Sequence, residues 1–260
     1  MEKVARWKWH VRGSWNLRED RIPSVVWLSI LWAGMITGFS LDAQHFLSQN
    51  PPFLLHLHAT VFTLWMCLLT AQVLLVVRNR VDIHRKLGWF LVFWACLMAV
   101  MGPVGVYTAV VMQVKAHGLF AYPFITVHTV DLGGFLIFLI LGIALRKNPA
   151  AHKRMMILST VALSDPGFAR IFIYFTKIPL IVSFTNPNHP TAFQWFLCTF
   201  YGSILIILLM LAWDWWKGRL IRVHVISSVS LIVAQYVAAV IYFWPPWQKL
   251  TLEWVTAWAK

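Results

Sequence analysis

Histidines are the residues of this chain best placed to do chemistry. His56 and His58 open a long apolar run over 53–77, and His84 follows that run in the stretch HRKLG. His128 opens another apolar run, and His152 follows it in the stretch HKRMM. The intervals from His58 to His84 and from His128 to His152 are 26 and 24 residues. Neutral imidazole ligates haem iron, zinc and copper, and it titrates near neutral pH. Histidines at both edges of two apolar runs therefore point to metal or redox chemistry in an apolar medium.

Composition identifies that medium. Of 260 residues, 60% are hydrophobic and only 12% charged. A soluble domain is about 45–50% apolar and about 25% charged. A membrane-spanning helix needs about 20 mostly apolar residues. Seven runs qualify: 22–41, 53–77, 88–112, 119–145, 155–182, 191–213 and 223–244. The expected fold is all-α, a polytopic bundle of seven transmembrane helices over 22–244. The first run reads as a span and not a cleaved signal peptide, because a basic, Trp-rich leader precedes it and no small-residue cleavage site follows.

Charge sets the orientation. The chain carries a formal net charge of +13, which by itself could suggest nucleic acid. The cations instead cluster at alternate helix ends: in the leader, around 78–86, around 146–154 and around 217–222. About 17 of the 22 Lys and Arg residues lie there, against four on the opposite side. Such asymmetry marks the cytoplasmic face. The N-terminus is expected inside and the C-terminus outside, in a prokaryotic-type inner or plasma membrane, with no role for nucleic acid.

Two segments flank the bundle. Residues 1–21 mix Trp with cations, which suits an anionic headgroup surface. Residues 245–260 place Trp247, Leu250, Trp254 and Trp258 on one helical stripe, which predicts an external interfacial helix. Either segment would serve equally as a docking surface for another subunit. Cys67, Cys96 and Cys198 lie inside apolar runs and read as small buried hydrophobes.

The spacing of the histidines predicts a parallel repeat. One copy is the hairpin of the second and third spans, with Gly102-Pro103 in its second arm. The other is the hairpin of the fourth and fifth, with Asp165-Pro166-Gly167 in the matching arm. A third, weaker copy would place His189 outside and His224 inside.

At 1.5 Å per residue, His58 and His128 lie roughly 8 and 12 Å below the outer surface. Asp131 is one turn beyond His128. Asp165 reaches mid-depth and Arg170 returns to the level of His128. Charges this deep face the bundle interior and find partners. An Asp131–Arg170 ion pair is expected, serving either as a pin between two helices or as part of a proton or substrate path. His84, His152 and His224 sit beside cations where helices enter from the cytoplasm, so each is a ligand or a side chain resting among lipid phosphates.

A b-type haem takes two axial imidazoles facing each other across a bundle, with small residues making room. The outer pair would be His58, or His56, with His128. The inner pair would be His84 with His152. Gly102, Gly105, Gly133 and Gly134 lie nearby. The pattern His58…Gln72…His84-Arg85-Lys86-Leu87-Gly88 resembles a hairpin of the diheme transmembrane b-type cytochromes, the cytochrome b-561 fold family. It is also similar to uncharacterised bacterial multi-pass proteins with an H-R-x-L-G hairpin. The resemblance covers residues 53–175. It implies ligands alternating between the two membrane faces on four consecutive helices, one or two haems b, and electron transport. The second copy, His152-Lys153-Arg154-Met155-Met156, lacks the Leu-Gly.

Two other readings stand beside it. His56, His58, His128 and Asp131 could hold one Zn or Cu ion, in a hydrolase-like site. Alternatively the chain is an accessory subunit of a larger membrane or redox complex.

Overall fold

The protein is described by a computed structural model covering residues 8–11, 21–178, 180 and 190–259. Among these residues the chain forms nine helices and a two-stranded ribbon. The helices are α1 (Arg21–Ser48), α2 (Phe53–Val77), α3 (Val81–His117), α4 (Ile125–Ala144) and α5 (Pro149–Ala162). They continue with α6 (Asp165–Thr176), α7 (Ala192–Trp216), α8 (Arg222–Tyr242) and α9 (Pro245–Trp258). Six of them are long and apolar enough to cross a membrane, and α5 with α6, bent by 45°, supplies a further span if counted as one.

Local sequence sets the ends. Asn148 caps α5 by accepting from the Ala151 N–H at 3.3 Å, with Pro149 in the first turn. Thr191 and Gln194 form a reciprocal capping box at the start of α7. The α5–α6 break falls just before Pro166, which has no N–H to give and whose ring displaces the preceding turn. Ser164 Oγ there donates to the Val161 carbonyl at 2.7 Å. The expected fifth span, 155–182, is thus two helices meeting at Leu163 and Ser164.

The hairpin pairs α2–α3 and α4–α5 pack closely, as do α1 with α6 and α7 with α8. Lipid tails are as apolar as leucine, so helices in a membrane associate by close packing and interhelical hydrogen bonds. Both are present. A Cβ on Gly38 would collide with the backbone of Gly167, and one on Gly34 or Gly202 would collide with the Phe168 ring. Gly38 therefore lets α1 meet the α6 backbone, and Gly34 and Gly202 make room for the Phe168 ring. Trp65 Nε1 donates to Thr160 Oγ1 at 3.2 Å, and Trp32 Nε1 to Thr70 Oγ1 at 2.9 Å. The core holds Leu31, Trp65, Met98, Phe135, Met155, Leu158 and Ile206. Trp89, Phe93, Ile140, Leu205 and Ile226 point outward, as they would toward acyl chains.

The ribbon pairs β1 (Lys8–Val11) with β2 (Arg219–Ile221) antiparallel, Val11 opposite Arg219. It gathers the leader and the α7–α8 turn at one end of the bundle. Arg21 joins that end through Nη1 to Asn79 Oδ1, 2.7 Å away, beside the α2–α3 turn. The leader residues 1–7 and 12–20, and His189 of the third repeat, lie outside the described residues. At the opposite end, α9 is helical as expected. Trp247 Nε1 donates to the Pro123 carbonyl at 3.1 Å, and Trp258 meets the Tyr107 ring at 5.4 Å.

Candidate functional site

Four histidines on α2, α3, α4 and α5 form the candidate site. At the ribbon end, His84 near the start of α3 meets His152 near the start of α5. Their ring centres are 6.2 Å apart and the planes are nearly perpendicular, at 88°. His152 Nδ1 donates to the Gly142 carbonyl at 2.8 Å. A carbonyl can only accept, so the proton is on Nδ1 and the Nε2 lone pair is left for another partner. Gly142 lies in the last turn of α4, where carbonyls run out of helical donors. The same bond thus caps α4 and orients the ring. The ring of His84 lies within reach of the Gln72 backbone. Its Nδ1, and both polar atoms of the Gln72 side chain, are buried without a hydrogen bond. Gly88 lies against the Gln72 amide.

At the α9 end, His58 on α2 repeats the anchoring. Its Nδ1 donates to the Met101 carbonyl on α3 at 2.8 Å. Gly105, four residues after Met101, permits this approach, because a Cβ there would collide with the imidazole. The ring also stacks on Phe62 at 4.5 Å. His128 on α4 lies within electrostatic range of His58. Its Nε2 is 3.3 Å from the Tyr122 hydroxyl, and Phe124 meets it edge-on at 5.4 Å.

The remaining expectations fare unevenly. His56 is exposed and packs edge-on to Phe46, apart from His58. Among the described residues no three His, Cys, Asp or Glu side chains converge as a metal-holding group. His56, His58, His128 and Asp131 are therefore not gathered as one ligand set. Gly133 has open space beside it, and Gly134 instead lets α4 approach Ala162 and Leu231.

The expected Asp131–Arg170 pair is replaced by two others. Arg170 Nε donates to Asp42 Oδ2 at 2.9 Å, and the guanidinium lies 4.4 Å from the Phe39 ring centre. The first span runs on to Ser48, past its expected end at 41, and so carries Asp42 alongside α6. Asp131 on α4 instead lies within hydrogen-bonding reach of Asp165, the first residue of α6.

One buried constellation has no counterpart in the sequence reading. Arg154 on α5 makes a two-pronged contact with Asp214 on α7, at 2.6 and 2.7 Å. His224 on α8 donates through Nδ1 to the same carboxylate at 2.8 Å, and all three residues are buried. His224 is thus a structural partner tying α8 to α7, not a helix end among lipid phosphates. The signal for it was Asp214 itself, an acid at the end of an apolar run flanked by tryptophans.

Comparison with family models, curated proteins and solved structures finds no match.

The inner pair can be tested against an imidazole-ligated iron. A metal–imidazole bond is about 2.0–2.1 Å and a ring nitrogen lies about 1.1 Å from the ring centre, so two rings sharing one ion have centres roughly 6.3 Å apart. The observed 6.2 Å matches. An edge-to-face contact between rings needs no ion at such distances. The hydrogen-bond capacity left unused at His84 and Gln72 is what a packing contact alone leaves unexplained. Metal-ligating histidines characteristically donate their second nitrogen to a carbonyl, as His152 does. By ring separation and by the nitrogens left free, His84 and His152 fit two imidazole ligands of one iron.

Proposed function

We propose that this chain is a membrane-embedded b-type haem protein that carries electrons within or across the bilayer. The observation that carries the reading is the His84–His152 pair, with its separation, and with His152 anchored through Nδ1. His58 is anchored through Nδ1 in the same manner toward the other end, and His128, within electrostatic range of it, is the partner this reading gives it. On this reading the chain spans the membrane seven times with α5 and α6 as one broken span. The ribbon end is cytoplasmic and α9 lies on the outer surface of an inner or plasma membrane. The resemblance of residues 53–175 to the cytochrome b-561 fold family supports it.

The chain's own residues have defined tasks. Gly142 and Met101 hold His152 and His58 in the tautomer that presents Nε2, and their carbonyls raise the basicity of the rings. Gly105 admits the His58 ring to α3. His84 with His152, and His58 with His128, would hold haem, which when bound would supply a reversible one-electron couple whose potential the imidazole ligands set.

Purification from a haem-replete host tests this. The expected product is coloured, with a Soret band, a b-type α band on reduction, and one or two haems b per chain by pyridine haemochrome. A folded, colourless protein that also fails to take up added haemin would overturn the reading.

A further inference from the structure

The buried carboxyl pair of Asp131 and Asp165 is used by neither the haem reading nor the ion pairs. The two side chains approach from α4 and from the broken end of α6, within hydrogen-bonding reach. Asp131 is 5% exposed and Asp165 1%. Both oxygens of Asp131, and Oδ1 of Asp165, have no hydrogen-bond donor. The neighbours are neutral. Gln235 on α8 donates through Nε2 to Asp165 Oδ2 at 3.1 Å and reaches Ser203 Oγ on α7 at 2.9 Å. Tyr201 on α7 lies within electrostatic range of Asp165. The cation on α6, Arg170, is engaged by Asp42, and His128 is one turn from Asp131 on α4.

Two carboxylates this close and this buried cannot both be ionised, because their repulsion is unscreened and neither is solvated. We infer that Asp131 and Asp165 form a membrane-buried binding site for one exchangeable proton, shared between them. The geometry also assigns the partners. Asp165 is the first residue of a 12-residue helix, where the axial dipole favours a negative charge, and it already accepts from Gln235. Asp165 is the carboxylate. Asp131, without any donor, is the acid, and its hydroxyl donates to Asp165 Oδ1. That one proton satisfies an orphaned oxygen on each residue. The helix break places the acceptor at the joint between two helix segments, as buried ion sites of discontinuous membrane helices require. A shift at the joint would part the carboxyls and release the proton. The site is independent of whether haem is bound.

Infrared spectroscopy of the purified full-length protein tests this. At neutral pH the wild type should show one protonated-carboxyl C=O band per chain, shifted by isotope-labelled aspartate and by H/D exchange. The band should be lost or displaced in both D131N and D165N, and unchanged in D42N, whose carboxylate Arg170 holds. Absence of the band, or its loss in only one of the two amide variants, would overturn the shared proton. Loss of the wild-type band on adding sodium ions would assign the pair to a metal cation and overturn the proton assignment. Circular dichroism of each variant establishes that the helices are retained, so that a lost band is not a lost fold.

Discussion

His84 and His152 meet at right angles, 6.2 Å between ring centres, although 68 positions separate them in the chain. The two residues are corresponding members of the two hairpins. His152 is held by a carbonyl of its own hairpin, so its ring is oriented without any contribution from His84. If the pair ligates iron, His152→Ala and His84→Ala should each remove the same haem, one per chain by pyridine haemochrome. Retention of the full haem content in either variant would contradict the assignment.

Gly105 is the point at which the α9 end can be perturbed alone. A Cβ there collides with the His58 ring, and the only relief is to lift the imidazole off Met101. If the proposed haems are bound at both ends, Gly105→Val should change the spectrum and potential of the one at His58 and leave the one at His84–His152 intact. Redox titration resolves the two. An unaltered titration curve would show that His58 does not depend on this contact.

The Arg154–Asp214–His224 cluster makes a stability prediction. Removing one member of a buried, hydrogen-bonded ion pair leaves its partner's charge uncompensated, at a cost of about 3–5 kcal/mol. Asp214→Asn should therefore lower the thermal midpoint in detergent strongly. Asp42→Asn removes a pair that is about one-third exposed, 32% on each side chain, and should cost no more than about 1 kcal/mol. Equal losses in the two variants would mean that burial does not set the scale here.

Gly38 and Gly167 give a packing prediction. The α1 and α6 backbones pass so closely that Gly38→Leu has no place for its side chain. The helices must separate, losing the contact on Phe168 and the nearby Asp42–Arg170 pair. The variant should be recovered at a small fraction of wild-type yield, whereas Gly133→Ala, with open space beside it, should be recovered normally. Detergent-extracted yield measures both.

Orientation is directly measurable. With the native cysteines replaced, a membrane-impermeant maleimide applied to intact cells should label a Lys249→Cys variant on α9 and spare Lys147→Cys in the α4–α5 turn. The reverse pattern would invert the topology.

Much of this architecture was legible. Runs of apolar residues are long, and backbone groups in lipid have no alternative to the helix, so the apolar helices were found, although several ends, such as those of α1 and α3, lie five to seven residues beyond the expected bounds. The histidine repeat was legible because spacing survives without knowledge of packing. Partner choice was not. Asp131 was matched to Arg170 by depth, but depth does not specify rotation. Asp42 was overlooked because it lay just past an expected helix end, although α1 runs on for nearly two further turns and carries it beside α6. The buried role of Arg154 was hidden by its neighbours, since a cation in a basic turn looks like any other topogenic charge. The break before Pro166 was visible as Asp-Pro-Gly, but its consequence, a helix start aimed at α4, needed three-dimensional placement.

The ribbon of Lys8–Val11 with Arg219–Ile221 has a bearing on biogenesis. Its two strands come from opposite ends of the chain, and the second emerges only after α7 has been threaded. Residues 8–11 therefore have no strand partner until 219–221 have been made. Once the ribbon zips, the segment before α1 is tied to the α7–α8 turn, with α8 and α9 still to follow. Protection of residues 8–11 from protease would then time this step of assembly, and it would be missing from every truncated chain that ends before β2.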